Sequence, residues 1–153
     1  MKSKILILFV ALVSVATFGQ TAAKRKIQFN IEKGIAIHGY DPVAYFTQKK
    51  AVKGKATIAT TYEGVTYNFS SQANKELFDK TPTSYEPQYG GWCSYAMGAT
   101  GEKVEINPET FKIVDGKLNL FYNAFFNNTL KSWNKDEAGL KKKADTNWKK
   151  ITN

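Results

Sequence analysis

The sequence has few of the residues that form disulfides, metal sites and active sites. Of its 153 residues, one is cysteine and one is histidine. A single cysteine cannot form a disulfide within the chain, so the core must hold the fold together. The chain also lacks a His-Glu-x-x-His pair, a phosphate-binding loop, a dinucleotide-binding glycine pattern and a Gly-x-Ser-x-Gly elbow. These absences argue against the common enzyme templates, and we assign no catalytic residue.

A long apolar run is also missing. The apolar run Ile5–Phe18 is shorter than the ~20 residues that cross a bilayer as a helix. Basic residues precede it and small or polar residues follow it, which is the layout of a signal peptide. Cleavage is expected between Gly19 and Ala23, and we take residues 1–22 as the leader. We therefore expect residues 23–153 to be one exported domain, periplasmic or extracellular, without a transmembrane span.

The composition is basic and rich in aromatic residues. The 22 Lys and Arg residues exceed the 13 Asp and Glu residues and give a formal net charge of +9. Apolar residues make up 42% of the chain and aromatic residues 14%, as in packed globular proteins. The basic residues are scattered and do not collect on one helix or strand, which argues against nucleic-acid binding. We expect a solvated basic surface that is loosely attracted to anionic envelope components.

Strand signals predict two hairpins. The segment Ala56–Phe69 is rich in Thr, Tyr, Val and Ile on both sides of Glu63-Gly64. The second hairpin runs from Phe111 to Phe121 across Asp115-Gly116, a dipeptide strongly preferred in tight hairpin turns. Upstream, apolar and polar residues alternate from Ile27 to Ile31, which predicts a short strand or an extended lead-in.

Helix signals lie between and after these hairpins. Asp41 precedes a proline and predicts the cap of a short helix that ends near Phe46. A serine at 70 or 71 caps the next helix, whose Leu77 and Phe78 should face the core. The apolar spacing over residues 123–150 predicts two amphipathic helices. The elements together predict an α+β fold, a single domain of small antiparallel hairpins packed with several short helices.

Several of these segments resemble a known family. Gly39–Phe46 reads GYDPVAYF and Tyr62–Ser71 reads YEGVTYNFSS. Together with Phe78, Pro82 and Tyr85, they are similar to the YHS-domain family. Further matches resemble an exported, longer branch of YHS domain-containing proteins, and they comprise YGGWC at 89–93, IVDGKL at 113–118 and ADTNW at 144–148.

The resemblance implies a link to heavy-metal handling that this chain does not reproduce. In the short YHS domains, a cysteine follows Asp-Pro-Val, and two more lie four residues apart before a helix. The matching positions here are Ala44, Ser70 and Asn74. Soft copper and zinc sites require thiolate ligands, which none of these residues supplies. The metal site of the family therefore does not carry over.

Cys93 and His38 are the remaining candidates for a metal site. Each lies beside a motif of the family, and together they predict a copper or zinc ion between a thiolate and an imidazole. Two alternatives remain for Cys93, since a lone cysteine is often a buried small hydrophobe and an exposed one can be a reactive thiol. For His38 the alternative is a local hydrogen bond.

A ligand-binding surface is predicted from the same motifs. Its candidate residues are Tyr40, Asp41, Tyr45, Tyr89, Trp92 and Cys93. Aromatic side chains with polar tips line many pockets, although we expect most of these rings to pack in the core. The predicted function is a small binding or accessory module that contacts a metal, a small ligand or an envelope protein. The alternatives are a thiol-dependent redox protein or enzyme that uses Cys93, and a purely structural or protein-interaction domain.

Overall fold

The computed structural model describes residues 21–153. The predicted leader lies outside these residues except for its last two. Helix α1 covers residues 21–28, so the extended lead-in predicted from Ile27 was wrong at its start. Ile27 is 78% exposed. The alternating pattern therefore does not bury this residue, and the strand is limited to Ile31–Glu32.

The strands form three small sheets. The first has the order β1-β2-β4-β3 and consists of β1 (Ile31–Glu32), β2 (Ile35–Ala36), β3 (Lys55–Tyr62) and β4 (Val65–Phe69). Strands β2 and β4 pair in parallel, and the other neighbours are antiparallel. Two separate hairpins are formed by β5 (Asn107–Val114) with β6 (Lys117–Phe121), and by β7 (Asn123–Ala124) with β8 (Asn127–Asn128).

Both predicted hairpins are confirmed. Glu63 and Gly64 join β3 to β4 with φ angles of 44° and 83°, and Asp115 and Gly116 join β5 to β6 with φ angles of 50° and 70°. Two successive positive φ values define the tight turn that suits the right-handed twist of paired strands, and Gly adopts this conformation without steric cost. The turn dipeptides therefore fix the register of each pair.

The helices are short except for the last one. After α1 they are α2 (Ala44–Thr47), α3 (Gln72–Lys80), α4 (Pro82–Tyr85), α5 (Ser94–Ala99), α6 (Thr129–Trp133) and α7 (Glu137–Thr152), with 3₁₀ turns at Ile37–Gly39 and Gln88–Gly91. Ser71 caps α3 by accepting a hydrogen bond from the Asn74 amide. Phe78 is buried as predicted, but Leu77 is 37% exposed, so its predicted core position was wrong.

The core joins the hairpins and the helices into one α+β unit, which confirms the predicted fold class. Its central cluster includes Tyr45, Tyr67, Phe69 and Phe78, all fully buried. Among residues 21–153, no helix is both long enough and apolar enough to cross a membrane.

Helix α1 is tied to the first sheet by one side chain. The Arg25 guanidinium pairs with the Glu86 carboxylate and donates to the Glu63 carbonyl oxygen at 3.2 Å. It also lies 4.2 Å from the centre of the Phe29 ring, at a distance typical of a cation–π contact. The Tyr67 hydroxyl donates to the same Glu86 carboxylate at 2.6 Å. These contacts fix α1 against the hairpin of β3 and β4.

Candidate functional site

Ala44, Ser70 and Asn74 meet at the Asp41 carboxylate. Asp41 is fully buried. Its Oδ1 accepts hydrogen bonds from the backbone amides of Val43 at 2.8 Å and Ala44 at 3.2 Å, at the start of α2, which begins two residues later than predicted. Its Oδ2 accepts from the Ser70 amide at 2.8 Å, the Ser70 hydroxyl at 2.6 Å and the Asn74 side-chain amide at 2.7 Å. One carboxylate therefore joins α2, the end of β4 and α3.

This arrangement does not suit a soft metal ion. The three positions are close together, as a shared site requires, but Ala44 has no donor atom and Ser70 and Asn74 provide no sulfur. The Asp41 oxygens already accept five hydrogen bonds, which is more than the approximately four lone-pair positions of a carboxylate. Within residues 21–153, no group of three or more His, Cys, Asp and Glu side chains could hold a metal ion. We therefore derive no chemistry through a metal at this point.

Cys93 lies inside the core. It is fully buried at the start of α5, and its sulfur is 3.4 Å from both the Thr129 hydroxyl and the Tyr122 backbone amide. Its own amide donates to the Val104 carbonyl at 2.9 Å. Reactive thiols require access to their reaction partner, and this one is closed to solvent. The packing is that of a small buried side chain with two polar neighbours.

His38 is partly exposed, and its ring faces Glu105. Its Nε2 lies 3.3 Å from a Glu105 carboxylate oxygen, and its carbonyl oxygen accepts from the Lys53 ammonium at 2.6 Å. The polar contacts of the Cys93 sulfur, to Thr129 and Tyr122, do not involve this group. The joint Cys93 and His38 metal site stays a prediction.

The predicted ligand-binding residues divide into buried and accessible ones. The Tyr45 hydroxyl donates to the Pro108 carbonyl at 2.8 Å, and burial raises the pKa of this phenol above its usual value. The Tyr89 hydroxyl donates to Asp145 at 2.9 Å, and burial together with that carboxylate raises its pKa as well. With Asp41 and Cys93, these residues face protein neighbours.

Tyr40 and Trp92 keep part of their surface open, in separate surroundings. The Lys53 ammonium lies 4.6 Å from the centre of the Tyr40 ring. The Trp92 indole donates to the Gln28 carbonyl at 2.7 Å, and Lys103 lies 5.8 Å from its ring centre. Of the predicted ligand-binding residues, Tyr40 is therefore the accessible one near His38. Lys53 contacts both residues.

A small cavity opens in this region. Its volume is about 190 Å³, and it is lined by Glu32, Lys33, Ile35, His38, Gly39, Lys53 and Asn68. The turn between β1 and β2, the first 3₁₀ turn and strand β4 supply most of these residues. The lining side chains include two lysines and one glutamate, and the Glu105 carboxylate lies against His38 beside the cavity.

Asn68 is the buried polar group of this cavity. It is only 7% exposed, and its side chain lines the cavity. A Cβ atom at Gly39 would lie 3.4 Å from the Asn68 side-chain nitrogen and 3.9 Å from the Lys53 ammonium. The missing side chain of Gly39 therefore leaves open the space between an amide donor and a cation. The Asn68 amide and the Lys53 ammonium therefore both face this space, where they can donate hydrogen bonds to a bound group.

The backbone beside the cavity adopts an unusual conformation. Ile37, His38 and Gly39 have φ angles of 52°, 49° and 79° in succession. A β-branched residue at positive φ is a genuine outlier, because its Cβ crowds the backbone. Strain of this kind is concentrated at ligand clamps and active sites. The conformation places the His38 carbonyl where Lys53 binds it.

Two wider grooves flank α7, but neither has a comparable polar group. Their volumes are about 480 and 600 Å³, and both include Lys142 and Thr146. In the smaller groove, Glu137 pairs with Lys112 and Asp145 accepts from Tyr89. These acidic groups already have protein partners. The cavity beside His38 is the better candidate site.

Sequence reasoning identified His38 and Tyr40 but not Lys53 or Asn68. Lys53 lies in an irregular segment, and Asn68 lies between the core residues Tyr67 and Phe69 in a strand, where alternation predicts a solvent-facing side chain. One feature of the sequence could have indicated Asn68: it is an amide between two core residues of a strand, within a family motif. It becomes specific only when β4 lies beside the first 3₁₀ turn.

The comparison with protein families covers the middle of the chain. The YHS domain model matches residues 43–89, which extend from the start of α2 into the second 3₁₀ turn. No curated protein and no solved structure shows a significant match. The matched segment contains Ala44, Ser70 and Asn74 as well as Lys53 and Asn68. The match supports the YHS-domain family predicted from the sequence, over residues 43–89.

Proposed function

We propose that this protein is an exported accessory module that binds a small oxyanion, a carboxylate or a phosphate, in the cavity lined by His38, Lys53 and Asn68. The observation that carries the proposal is the pair of donors, the Asn68 side-chain amide and the Lys53 ammonium, that line one cavity beside Gly39. Export rests on the signal-peptide layout of residues 1–22. The YHS domain supports the coarser description, a small accessory module.

The donors determine the class of ligand. An ammonium group has three hydrogens, and Lys53 uses one of them for the His38 carbonyl. The other two hydrogens and the Asn68 amide can donate to a ligand, so they match the acceptor oxygens of a carboxylate or a phosphate. Hydrogen bonds to a charged acceptor are roughly twice as strong as neutral ones.

The size of the cavity limits the ligand to a small one. A volume of about 190 Å³ is below the range of about 300–1,000 Å³ that is typical of drug-sized ligands. A small anion, or the anionic end of a larger molecule, fits this space. Glu32 at the rim would repel extra negative charge, which favours a single anionic group.

Calorimetric titration with acetate and with inorganic phosphate tests the proposal. Lys53→Met keeps the length of the side chain and removes the charge, and we expect it to weaken binding about tenfold, in line with the loss of a charge-assisted hydrogen bond. Lys80→Met removes the same charge from an exposed position on α3 and should leave affinity within about twofold. Equal affinity in wild type and Lys53→Met would overturn the proposal.

Titration with copper(I), copper(II) and zinc separates this proposal from the predicted metal site. Saturable metal binding that both His38→Ala and Cys93→Ser abolish would replace the oxyanion by a metal ion. Anion binding that Cys93→Ser leaves intact would support the proposed cavity.

A further inference from the structure

The hairpin of β7 and β8 presents two phenylalanine side chains to solvent. Phe125 and Phe126 form its two-residue turn and are 91% and 112% exposed. Their φ angles are 50° and 63°, so both adopt the left-handed conformation. Such a turn usually contains Asn-Gly, because bulky side chains are strained there. Two exposed aromatic rings at strained positions are unfavourable for the isolated protein and indicate an external partner.

The base of this hairpin is firmly held. The Asn123 side chain donates to the Thr110 hydroxyl at 3.0 Å, and its carbonyl accepts from Asn107 at 3.4 Å. On the other side, Asn128 caps α6 by accepting from the Leu130 amide at 3.1 Å. The rings therefore project from an ordered support.

The area and the charge of this region favour a lipid surface over a protein partner. Two phenylalanine side chains bury about 300–500 Å² in total, whereas a specific protein interface takes about 800 Å² from each partner. Residues 118–130 contain no charged side chain, and the first cation after them is Lys131 on α6. An uncharged aromatic tip on a chain that stays basic without Lys2 and Lys4 of the leader matches an anionic bilayer surface.

We propose that the Phe125–Phe126 tip inserts into the interface of an anionic phospholipid bilayer and holds the protein there reversibly. The rings enter the boundary between headgroups and acyl chains, and the basic surface of the protein stays at the headgroups. Two rings and a few cations give weak, salt-sensitive attachment. This mode of binding is independent of the cavity beside His38.

Vesicle co-sedimentation of the full chain, purified after export by its expression host, tests the proposal. The vesicles are phosphatidylcholine alone and phosphatidylcholine with about a third phosphatidylglycerol, since anionic lipid attracts basic segments. The variant Phe125→Asn/Phe126→Gly places the preferred turn residues at the tip, so it removes the rings without harming the fold. We expect its partition onto anionic vesicles to fall at least about tenfold, because burial of one phenyl ring alone exceeds that factor.

Ile27→Gln is the matched control, because it removes an exposed apolar side chain from α1, outside the hairpin. Its partition should stay within about twofold of wild type. Equal partition of wild type and the tip variant would overturn the proposal. A second result would also overturn it: wild type binds neither kind of vesicle and sediments as a dimer, whereas the tip variant sediments as a monomer. The tip would then bind a second copy of the chain.

Discussion

Replacing Asp41 by asparagine should destabilise the protein severely, although it only replaces one carboxylate oxygen by an NH₂ group. The carboxylate accepts five hydrogen bonds, two at Oδ1 and three at Oδ2. An amide has an NH₂ group on one side, and in either orientation this group faces at least two donors. Hydrogen bonds to charged groups contribute about 1.5–3 kcal/mol each, so the loss of two predicts about 3–6 kcal/mol. This is a large share of the about 5–15 kcal/mol that stabilises a typical domain.

Urea unfolding followed by circular dichroism measures this loss. Asp115→Asn is the matched control, because it makes the same chemical change where the side chain is 74% exposed and pairs with Lys141. Its free energy of unfolding should change by less than about 0.5 kcal/mol. A loss below about 1 kcal/mol in Asp41→Asn would show that the five hydrogen bonds of Asp41 do not stabilise the fold as expected, since the loss of two of them should cost more.

Three further outcomes follow from the packing. Phe125→Asn/Phe126→Gly should raise the free energy of unfolding by about 1 kcal/mol through relief of turn strain, and a decrease in urea unfolding would contradict the strained turn. Native Cys93 should react with iodoacetamide about a hundredfold more slowly than the unfolded chain, and equal rates would show an accessible thiol. Burial raises the pKa of three tyrosines, so the stability they contribute is present below pH about 10 and is lost at higher pH, where the unfolded chain ionises. Ultraviolet titration checks this for Tyr45, Tyr67 and Tyr89, and phenols that ionise before unfolding would contradict it.

The parts of the fold that the sequence predicted are those with local causes. Glu63-Gly64 and Asp115-Gly116 are turn dipeptides between strand-forming residues, and each joins the hairpin expected of it. Asp41 caps its helix through its own neighbours. These signals act within a few residues, so composition and spacing suffice to find them.

The parts that the sequence did not predict depend on contacts between distant residues. Helix α1 forms where alternation favoured an extended segment, and Arg25 fixes it to Glu63 and Glu86. The parallel pair of β2 and β4, at Ile35 and Thr66, has no local signal either. Tertiary contacts override weak local preferences in such short elements.

Only part of the candidate site was predicted, because it also depends on contacts between distant residues. Family motifs drew attention to His38 and to the missing cysteines at Ser70 and Asn74, but they gave no sign that Asp41 would gather those positions. Lys53 and Asn68 are ordinary residues in the sequence. They become a site only because the strained first 3₁₀ turn brings Gly39 between them.

The Asn68 side-chain resonance gives the most direct test of the proposed cavity. In a nuclear magnetic resonance titration of the ¹⁵N-labelled protein with inorganic phosphate, we expect the Asn68 NH₂ signals to shift and saturate. Lys53→Met should need about tenfold more phosphate for the same shift. Asn68 signals that stay fixed while phosphate binds elsewhere, or that shift equally in Lys53→Met, would contradict anion binding in the cavity of Lys53 and Asn68.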